Sequence, residues 1–443
     1  MTVPAEPTHH VDAVPADPAR GASPHHVDDV FLSRAETWAL VGSQPLAQLS
    51  NMALLPSLGA LRADLGLTYG ELGAVVAAFG LARLVTDLPA GGMARRWNPR
   101  TVLLVAFAIS TVGSILGALA GNAWQVAAVR LLIGVASSVC QAMILAWLVG
   151  GSGRVARGRV MARGEALFSV AGLVVPALGG LLALQLGWRA AFVLGAVAAA
   201  IGLAAVQLFT RASGAARSVG QSDPPAQPTG AGPQPPALPW VDGRADASLL
   251  AGWTALRVGG RVLLSAYIAT FVVFFCRNGL LNAVIPVLGT DRLGLQPYQI
   301  GVMFSAVNAL SIGAVLLGGR AGDRFGRYRL LAPGLAVLLA AQLLLFLVQD
   351  AVTYVAITLV QSLSFFVNPL PPGLLGDALP IRARAQGIAV YRAVSDLALL
   401  SAPSVMGAAL QAGGFFAAEL ASVLVIAIAL LATVALAARR AAR

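Results

Sequence analysis

Charged side chains inside apolar segments are the feature of the sequence with the clearest chemical meaning. A charge is costly at bilayer depth, so such a residue is expected to face other helices or a water-filled cavity and to serve binding or proton transfer. In the segments delimited below these residues are Arg83, Asp87, Arg130, Arg277, Arg392 and Asp396. Arg83 with Asp87, and Arg392 with Asp396, are four residues apart and can neutralise each other on one helix face.

Arg130 and Arg277 have no acidic residue at this spacing. They are candidates for meeting charge on a substrate, or for pairing across helices. Proton coupling needs an acid whose protonation differs between two states, and the candidates are Asp87, Asp396 and Glu165. Polar stripes, such as Gln48 with Asn51, support a central cavity, although hydrogen bonding between helices accounts for part of them.

The elements that position these residues are predicted to be membrane helices. The chain is 58% hydrophobic and 11% charged with a mean hydropathy of +0.79, whereas soluble domains are about 25% charged. The net charge of +11 comes from arginines in short clusters between apolar segments, which indicates topology signals rather than a nucleic-acid surface. All four histidines, at positions 9, 10, 25 and 26, lie in the polar N-terminal segment, so no metal site or cofactor is expected.

Twelve apolar runs of about 20 residues predict an all-α membrane protein of two six-helix bundles. We number them as spans one to twelve: residues 37–59, 72–91, 102–120, 124–150, 166–186, 190–209, 262–288, 300–318, 330–348, 351–373, 387–411 and 413–437. The predicted domains are a disordered tail (1–35), a first half (36–210), a linker (211–260), a second half (261–438) and a short tail (439–443).

The arginines predict the orientation of this bundle, because positive charge in short loops marks the cytoplasmic side. With the N-terminus inside, the arginine clusters, the linker and both tails are cytoplasmic. The other side holds only Arg62, Arg189 and Arg292. An even number of spans with both termini in the cytoplasm is therefore expected.

An internal repeat relates the two halves. Residues 65–73 correspond to residues 293–301 at an offset of 228, Gly91 corresponds to Gly319 at the same offset, and the pair Pro176 and Gly180 corresponds to Pro403 and Gly407 at 227. Six spans per half make the repeats parallel, related by an axis along the membrane normal.

Several motifs resemble those of the major facilitator superfamily. The loop after span eight carries that family's cytoplasmic loop signature at Gly319, Asp323, Arg324, Gly326 and Arg327, where ion pairs can form a conformation-dependent latch; a simple positive tight loop is the alternative. The first-half counterpart departs from the signature, with Arg95 in the position of the acid.

Other motifs extend the resemblance from residue 37 onward. Arg130 to Gly134 is similar to the family's Arg-x-x-x-Gly motif, and Pro176, Gly179 and Gly180 in span five are similar to its antiporter motif. Close helix packing with a kink is the alternative for the span-five residues.

The resemblance implies a substrate site near the midplane, lined by spans one, four, seven and ten. The candidate cavity residues are Gln48, Asn51, Arg130, Gln141, Arg277, Asn278, Gln361, Asn368, Tyr391 and Arg392. The expected protein is a non-enzymatic, monomeric, multi-pass transporter of the cell inner membrane, an antiporter that exports a small organic solute against protons by alternating access. The alternatives are uptake of a small organic anion or nutrient, and a non-transporting membrane receptor.

Overall fold

The computed structural model describes residues 32–151, 154–210, 249–379 and 381–441. These residues are helical almost throughout and contain no strand. Residues 1–31 of the predicted tail, with its four histidines, and residues 211–248 of the predicted linker lie outside the described residues, as do the last two residues of the chain. The helix Leu249–Phe275 is broken at Gly260, where φ is 53°, so its first part makes the C-terminal end of the predicted linker helical and span seven follows the break.

The first half contains six helical spans. Span one consists of four short helical pieces, with the bounds Arg34–Leu46, Leu49–Leu54, Leu55–Ser57 and Leu58–Leu65. Spans two to six are longer helices, with the bounds Tyr69–Arg96, Pro99–Ala118, Ala123–Gly151, Arg154–Leu186 and Ala190–Phe209 in that order.

The second half repeats this order. Span seven contains a π-helical stretch, span ten contains a 3-10 stretch, and spans eleven and twelve form one long helix with a break. Span seven lies within Leu249–Phe275, Cys276–Val284 and Ile285–Asp291, and the bounds are Pro297–Phe325 for span eight and Arg327–Leu343 with Leu344–Leu347 for span nine. They are Ala351–Leu363, Ser364–Val367 and Leu370–Ala378 for span ten, and Ile381–Ala441 for spans eleven and twelve together.

Twelve crossings follow from these lengths. Nine stretches of the described residues are long and apolar enough to cross a membrane. Two of them each contain two crossings, because Arg159–Phe209 is interrupted at Gly187–Arg189 and Gly387–Ala438 is broken at Gly414. At 1.5 Å per residue each is about 75 Å long, more than twice the ~30 Å hydrocarbon core. Span one, whose pieces are individually short, is the twelfth, and the predicted fold class is confirmed.

The repeat is visible in the helix boundaries. Corresponding helices begin 228 residues apart (297 − 69, 327 − 99 and 351 − 123), at Tyr69 and Pro297, Pro99 and Arg327, and Ala123 and Ala351. The helices therefore recur at the offset that the sequence indicates.

The two halves pack through span two against span eleven and through span five against span eight. A Cβ atom at Gly73 would lie 2.5 Å from the carbonyl oxygen of Pro403 and 3.1 Å from the Cα of Gly407. A Cβ atom at Gly301 would overlap the carbonyl oxygen of Pro176 in the same way. These residues are repeat partners of one another, so the two contacts are equivalent and the halves are related by an approximate twofold.

Candidate functional site

A cavity of about 310 Å³ lies between the two halves. Its wall comes from spans one, two, four and five of the first half and from spans seven, eight, ten and eleven of the second. The size is at the lower end of the range of small-molecule sites, about 300–1,000 Å³. Six amides and five phenylalanine rings make up nearly half of the lining residues, and the charged residues of the wall are Arg83, Arg277 and Asp396.

One face of the bundle closes this cavity. An even number of crossings puts Arg34 and Ala441 on one face, which we call the termini face, and puts the loops after spans one and seven on the opposite face. There Arg62 Nη2 lies 2.7 Å from Asp291 Oδ2. The Tyr69 hydroxyl donates to the same oxygen at 3.1 Å, and the Tyr69 N–H donates to Gln411 Oε1 at 3.2 Å.

The Arg62 guanidinium also lies over the Tyr69 ring, with its Cζ 4.5 Å from the ring centroid. Arg62 and Tyr69 belong to the first half, whereas Asp291 and Gln411 belong to the second. We call these four residues the opposite-face gate, since their contacts hold the halves together at that end of the cavity.

A second group of charges joins the halves beside the cavity. Arg83 lies between two acids, with Nη2 3.5 Å from Asp87 Oδ2 and Nε 3.7 Å from Asp396 Oδ1. The Ser138 hydroxyl donates to Asp87, and Arg83 Nη1 donates to Gln141 Oε1 at 3.4 Å. We call Arg83, Asp87, Ser138 and Asp396 the central network.

The central network settles how the two predicted pairs are arranged. Arg83 and Asp87 do meet on one helix face, as their spacing indicates. Asp396 is buried and pairs with Arg83 of the other half, whereas Arg392 is exposed and forms no ion pair among the described residues. The Asp87 and Asp396 carboxyl groups both lie within 4 Å of the Arg83 guanidinium, so the central network brings two acids to one cation.

Arg130 lies behind the cavity wall and is not part of it. Its side chain is buried, and Nη2 donates to Asn51 Oδ1 at 3.1 Å and to the carbonyl oxygen of Val76 at 3.4 Å. Its guanidinium faces the Phe79 ring at 5.5 Å. Because Asn51 and Phe79 line the cavity, Arg130 supports two lining residues and does not reach the cavity itself.

Arg277, by contrast, lines the cavity from the π-helical stretch of span seven. The wider turn of a π-helix, with i→i+5 hydrogen bonds, is frequent at functional sites. It brings Arg277, Asn278, Leu281 and Asn282 to the cavity together. The Arg277 guanidinium lies over the Phe365 ring at 5.5 Å.

The other predicted cavity residues divide into two groups. Gln48, Asn51, Gln141 and Asn278 line the cavity, whereas Gln361, Asn368, Tyr391 and Arg392 do not. Gln361 points toward span nine, because its Nε2 donates to the buried Gln342 Oε1 at 2.9 Å. The Tyr391 ring packs edge-on against Phe274, with ring centroids 6.3 Å apart.

Two lining residues of the site and one buried acid outside it were missed from the sequence. Asn308 and Ser311 of span eight line the cavity, and their spacing of three on one helix face could have indicated this. Glu419 is a buried acid in span twelve, 5% exposed, and an acidic residue in an apolar run is a signal that the sequence offered. Glu165, the third predicted proton carrier, is exposed and lies outside the cavity wall.

The predicted latch lies within the second half. Arg327 Nη2 lies 2.6 Å from Asp323 Oδ1, and Nη1 lies 2.9 Å from Asp377 Oδ1 and donates to the carbonyl oxygen of Gly373 at 3.2 Å. Gly326 ends span eight at a φ of 90°. These contacts tie the loop to span ten. Arg324 faces the ring of its neighbour at 5.3 Å, and a Cβ at Gly319 would meet open space.

The span-five motif packs the halves together. A Cβ at Gly180 would lie 2.5 Å from the carbonyl oxygen of Pro297 in span eight, and one at Gly179 would lie 2.8 Å from that of Ala53 in span one. Pro176 also lines the cavity. The small residues therefore allow close approach on both sides of span five.

Comparison with known proteins identifies a family. Residues 40–403 and 266–443 match the model described as Major Facilitator Superfamily, which is most of the chain. An uncharacterised MFS-type transporter of Mycobacterium tuberculosis (strain ATCC 25618 / H37Rv) is 26% identical over 166 residues. That match covers 38% of this chain and 29% of the length of the relative.

Solved structures share the fold at low sequence identity. A bacterial homolog of the human lysosomal transporter Spinster, in an inward-facing and unoccupied conformation, has a TM-score of 0.70 and 14% identity over 90% of this chain and 96% of that one. A D-xylose-proton symporter has a TM-score of 0.68 and 14% identity, with coverages of 91% and 97%. A nucleoside transporter has a TM-score of 0.64 and 16% identity, with coverages of 92% and 99%.

Proposed function

The chain belongs to the Major Facilitator Superfamily, and from this premise we propose that it is a proton-coupled secondary transporter that moves a small organic solute through the central cavity. The observation that carries the proposal is the position of the cavity. It lies on the pseudo-twofold interface, is lined by both halves and is closed by the opposite-face gate. Rocking the halves about such a site exposes it to one side of the membrane at a time.

The central network supports proton coupling. It contains two acids and one guanidinium, and one proton on the acids makes it neutral. Because Arg83 and Asp396 belong to different halves, rocking the halves changes their distance and with it the proton affinity of Asp396. A difference in proton affinity between the two conformations is what couples proton movement to transport. Of the three predicted carriers, Asp87 and Asp396 take this role in our proposal and Glu165 does not.

We propose export as the direction, from a monomer in the inner membrane with both termini in the cytoplasm. In this proposal the described state opens at the termini face, toward the cytoplasm, because the gate contacts close the opposite face. Uptake of a small organic anion is the second candidate, and the unpaired Arg277 guanidinium in the cavity wall favours it.

Everted membrane vesicles test this proposal. We would use three aromatic solutes that cannot leak as weak acids or bases: 3-phenylpropane-1-sulfonate, 3-phenylpropanamide and trimethyl(3-phenylpropyl)ammonium. We expect at least one of these solutes to accumulate in everted vesicles whose interior is more acidic than the outside, and its uptake to dissipate this pH gradient. Asp396→Asn should abolish both effects. Accumulation only in right-side-out vesicles contradicts export, and accumulation of none in either orientation contradicts the proposed transport.

A further inference from the structure

We infer that the solute is an amphipathic organic anion, with its acidic group on Arg277 and its apolar part among the phenylalanine rings of the cavity. This inference rests on the proposed function and adds the class of substrate to it. It applies to either direction of transport.

The evidence is the contrast between Arg277 and the other inward arginines. Arg62 and Arg83 each lie within 4 Å of a carboxylate, and Arg130 donates two hydrogen bonds. Among the described residues Arg277 forms no ion pair and no hydrogen bond, and its guanidinium lies over the Phe365 ring, with Cζ 5.5 Å from the ring centroid. It is therefore a cavity-lining cation whose donors are free.

An unpaired guanidinium inside a membrane protein is costly, so it is expected either to face water or to be neutralised by an anion. Arg277 lies at the cavity, where both are possible. Its planar group matches a carboxylate, sulfonate or phosphate through two parallel hydrogen bonds. A purely structural arginine would instead be expected to have a protein acceptor, as Arg130 does in Asn51.

The other two charges of the cavity wall do not compensate Arg277. Arg83 and Asp396 pair with each other in the central network, where Arg83 also contacts Asp87. In the singly protonated form that we propose for coupling, the two acids and one guanidinium of the network are neutral together, and the charge of Arg277 is the one that a solute meets. A cationic solute would have to bind beside this charge.

The rest of the wall suits an aromatic or aliphatic body. Phe79, Phe168, Phe274, Phe304 and Phe365 line the cavity. Rings around one anchoring charge bury the apolar part of a ligand while the charge sets its orientation. The combination selects an amphipathic anion over a small inorganic one.

The three solutes named above share one body and differ in the charge of the head, so they separate charge from shape. Their binding to the purified full-length protein in nanodiscs is measured by isothermal titration calorimetry. A charge-assisted bidentate contact is worth about tenfold or more in affinity. We therefore expect the sulfonate to bind at least about tenfold more tightly than the amide, and the trimethylammonium compound to bind weakest.

Variants test whether Arg277 is the cause. Arg277→Gln should bring the sulfonate and the amide to within about twofold of each other, and Arg277→Lys should keep part of the preference. Arg159→Gln, which removes an exposed arginine at the end of span five, is the matched control and should keep it all. Thermal unfolding of each variant verifies that it is folded. If Arg277→Gln does not fold, Arg277→Lys is the variant that tests the inference, because it keeps the charge and loses the bidentate geometry of the guanidinium.

Three outcomes overturn the inference: the cation binds most tightly, Arg277→Gln retains the preference for the sulfonate, or none of the three binds the wild type. The vesicle experiment is independent of these outcomes. If the amide or the cation is transported against protons and depends on Asp396, the proposed function stands and only the class of substrate is wrong.

Discussion

Loss of the opposite-face gate should shift the conformational equilibrium of the whole molecule. Arg62→Ala removes the 2.7 Å ion pair with Asp291 and the cation–π contact with Tyr69. The Arg62 and Asp291 side chains are 27% and 14% exposed, so the pair lies between a surface and a buried salt bridge. We assign its loss about 2 kcal/mol against the closed state.

This free energy corresponds to a shift of about 30-fold between the closed and open states. A wild type that is about 99% closed would become roughly three-quarters closed. Double electron–electron resonance measures this directly. The labels are placed at Leu119→Cys and Leu347→Cys, which are 76% and 59% exposed at the ends of spans three and nine on the opposite face. The two native cysteines, both buried, are replaced by Ala.

The matched control is Arg189→Ala. Arg189 lies 2.8 Å from Asp64 on the same face, but both residues belong to the first half, so this pair does not join the halves. We expect Arg62→Ala to add a second, longer distance to the distribution between the two labels. Arg189→Ala should give the same distance distribution as the wild type. Folded Arg62→Ala with an unchanged distribution, or the same change in Arg189→Ala, would refute the gate.

Three further predictions follow from the packing and the ion pairs. Gly73→Leu places side-chain atoms against the Pro403 carbonyl oxygen, so it should lengthen the distance between the same two labels, whereas Gly313→Leu, where a Cβ meets open space, should not. Arg327→Ala removes contacts to Asp323, Asp377 and Gly373, and since both acids are well exposed we expect a loss of only about 1 kcal/mol in thermal unfolding, with no change in the label distances. Hydrogen bonds from Trp188 and Arg189 lower the pKa of Asp64 in the folded protein. The wild type should therefore lose less than about 1 kcal/mol of stability as the pH falls from about 4 through this lowered pKa. Asp64→Asn should show no such loss.

The fold was predictable because its signals are local. The length of the apolar runs predicts the spans. The offset of 228 residues between the two copies of a short motif predicts the symmetry of the halves, which the first residues of the corresponding helices confirm. The spacing of Arg83 and Asp87 was likewise enough to predict that their side chains meet.

The site was less predictable because its contacts join distant parts of the chain. The pairing of Asp396 with Arg83 rather than with Arg392 depends on how span eleven rotates against span two. Gln361 pairs with Gln342 across spans nine and ten, which a stripe on one helix cannot reveal. No sequence pattern predicts the π-helical turn that presents Arg277.

Alternating access about the central cavity is tested most directly by label distances on both faces of the same protein. A second pair, Thr101→Cys and Arg329→Cys, lies on the termini face at exposed positions 228 residues apart. When Arg62→Ala opens the opposite face, we predict that the termini-face distance shortens in the same fraction of molecules. A longer opposite-face distance with an unchanged or also longer termini-face distance would contradict a rocking motion of the two halves.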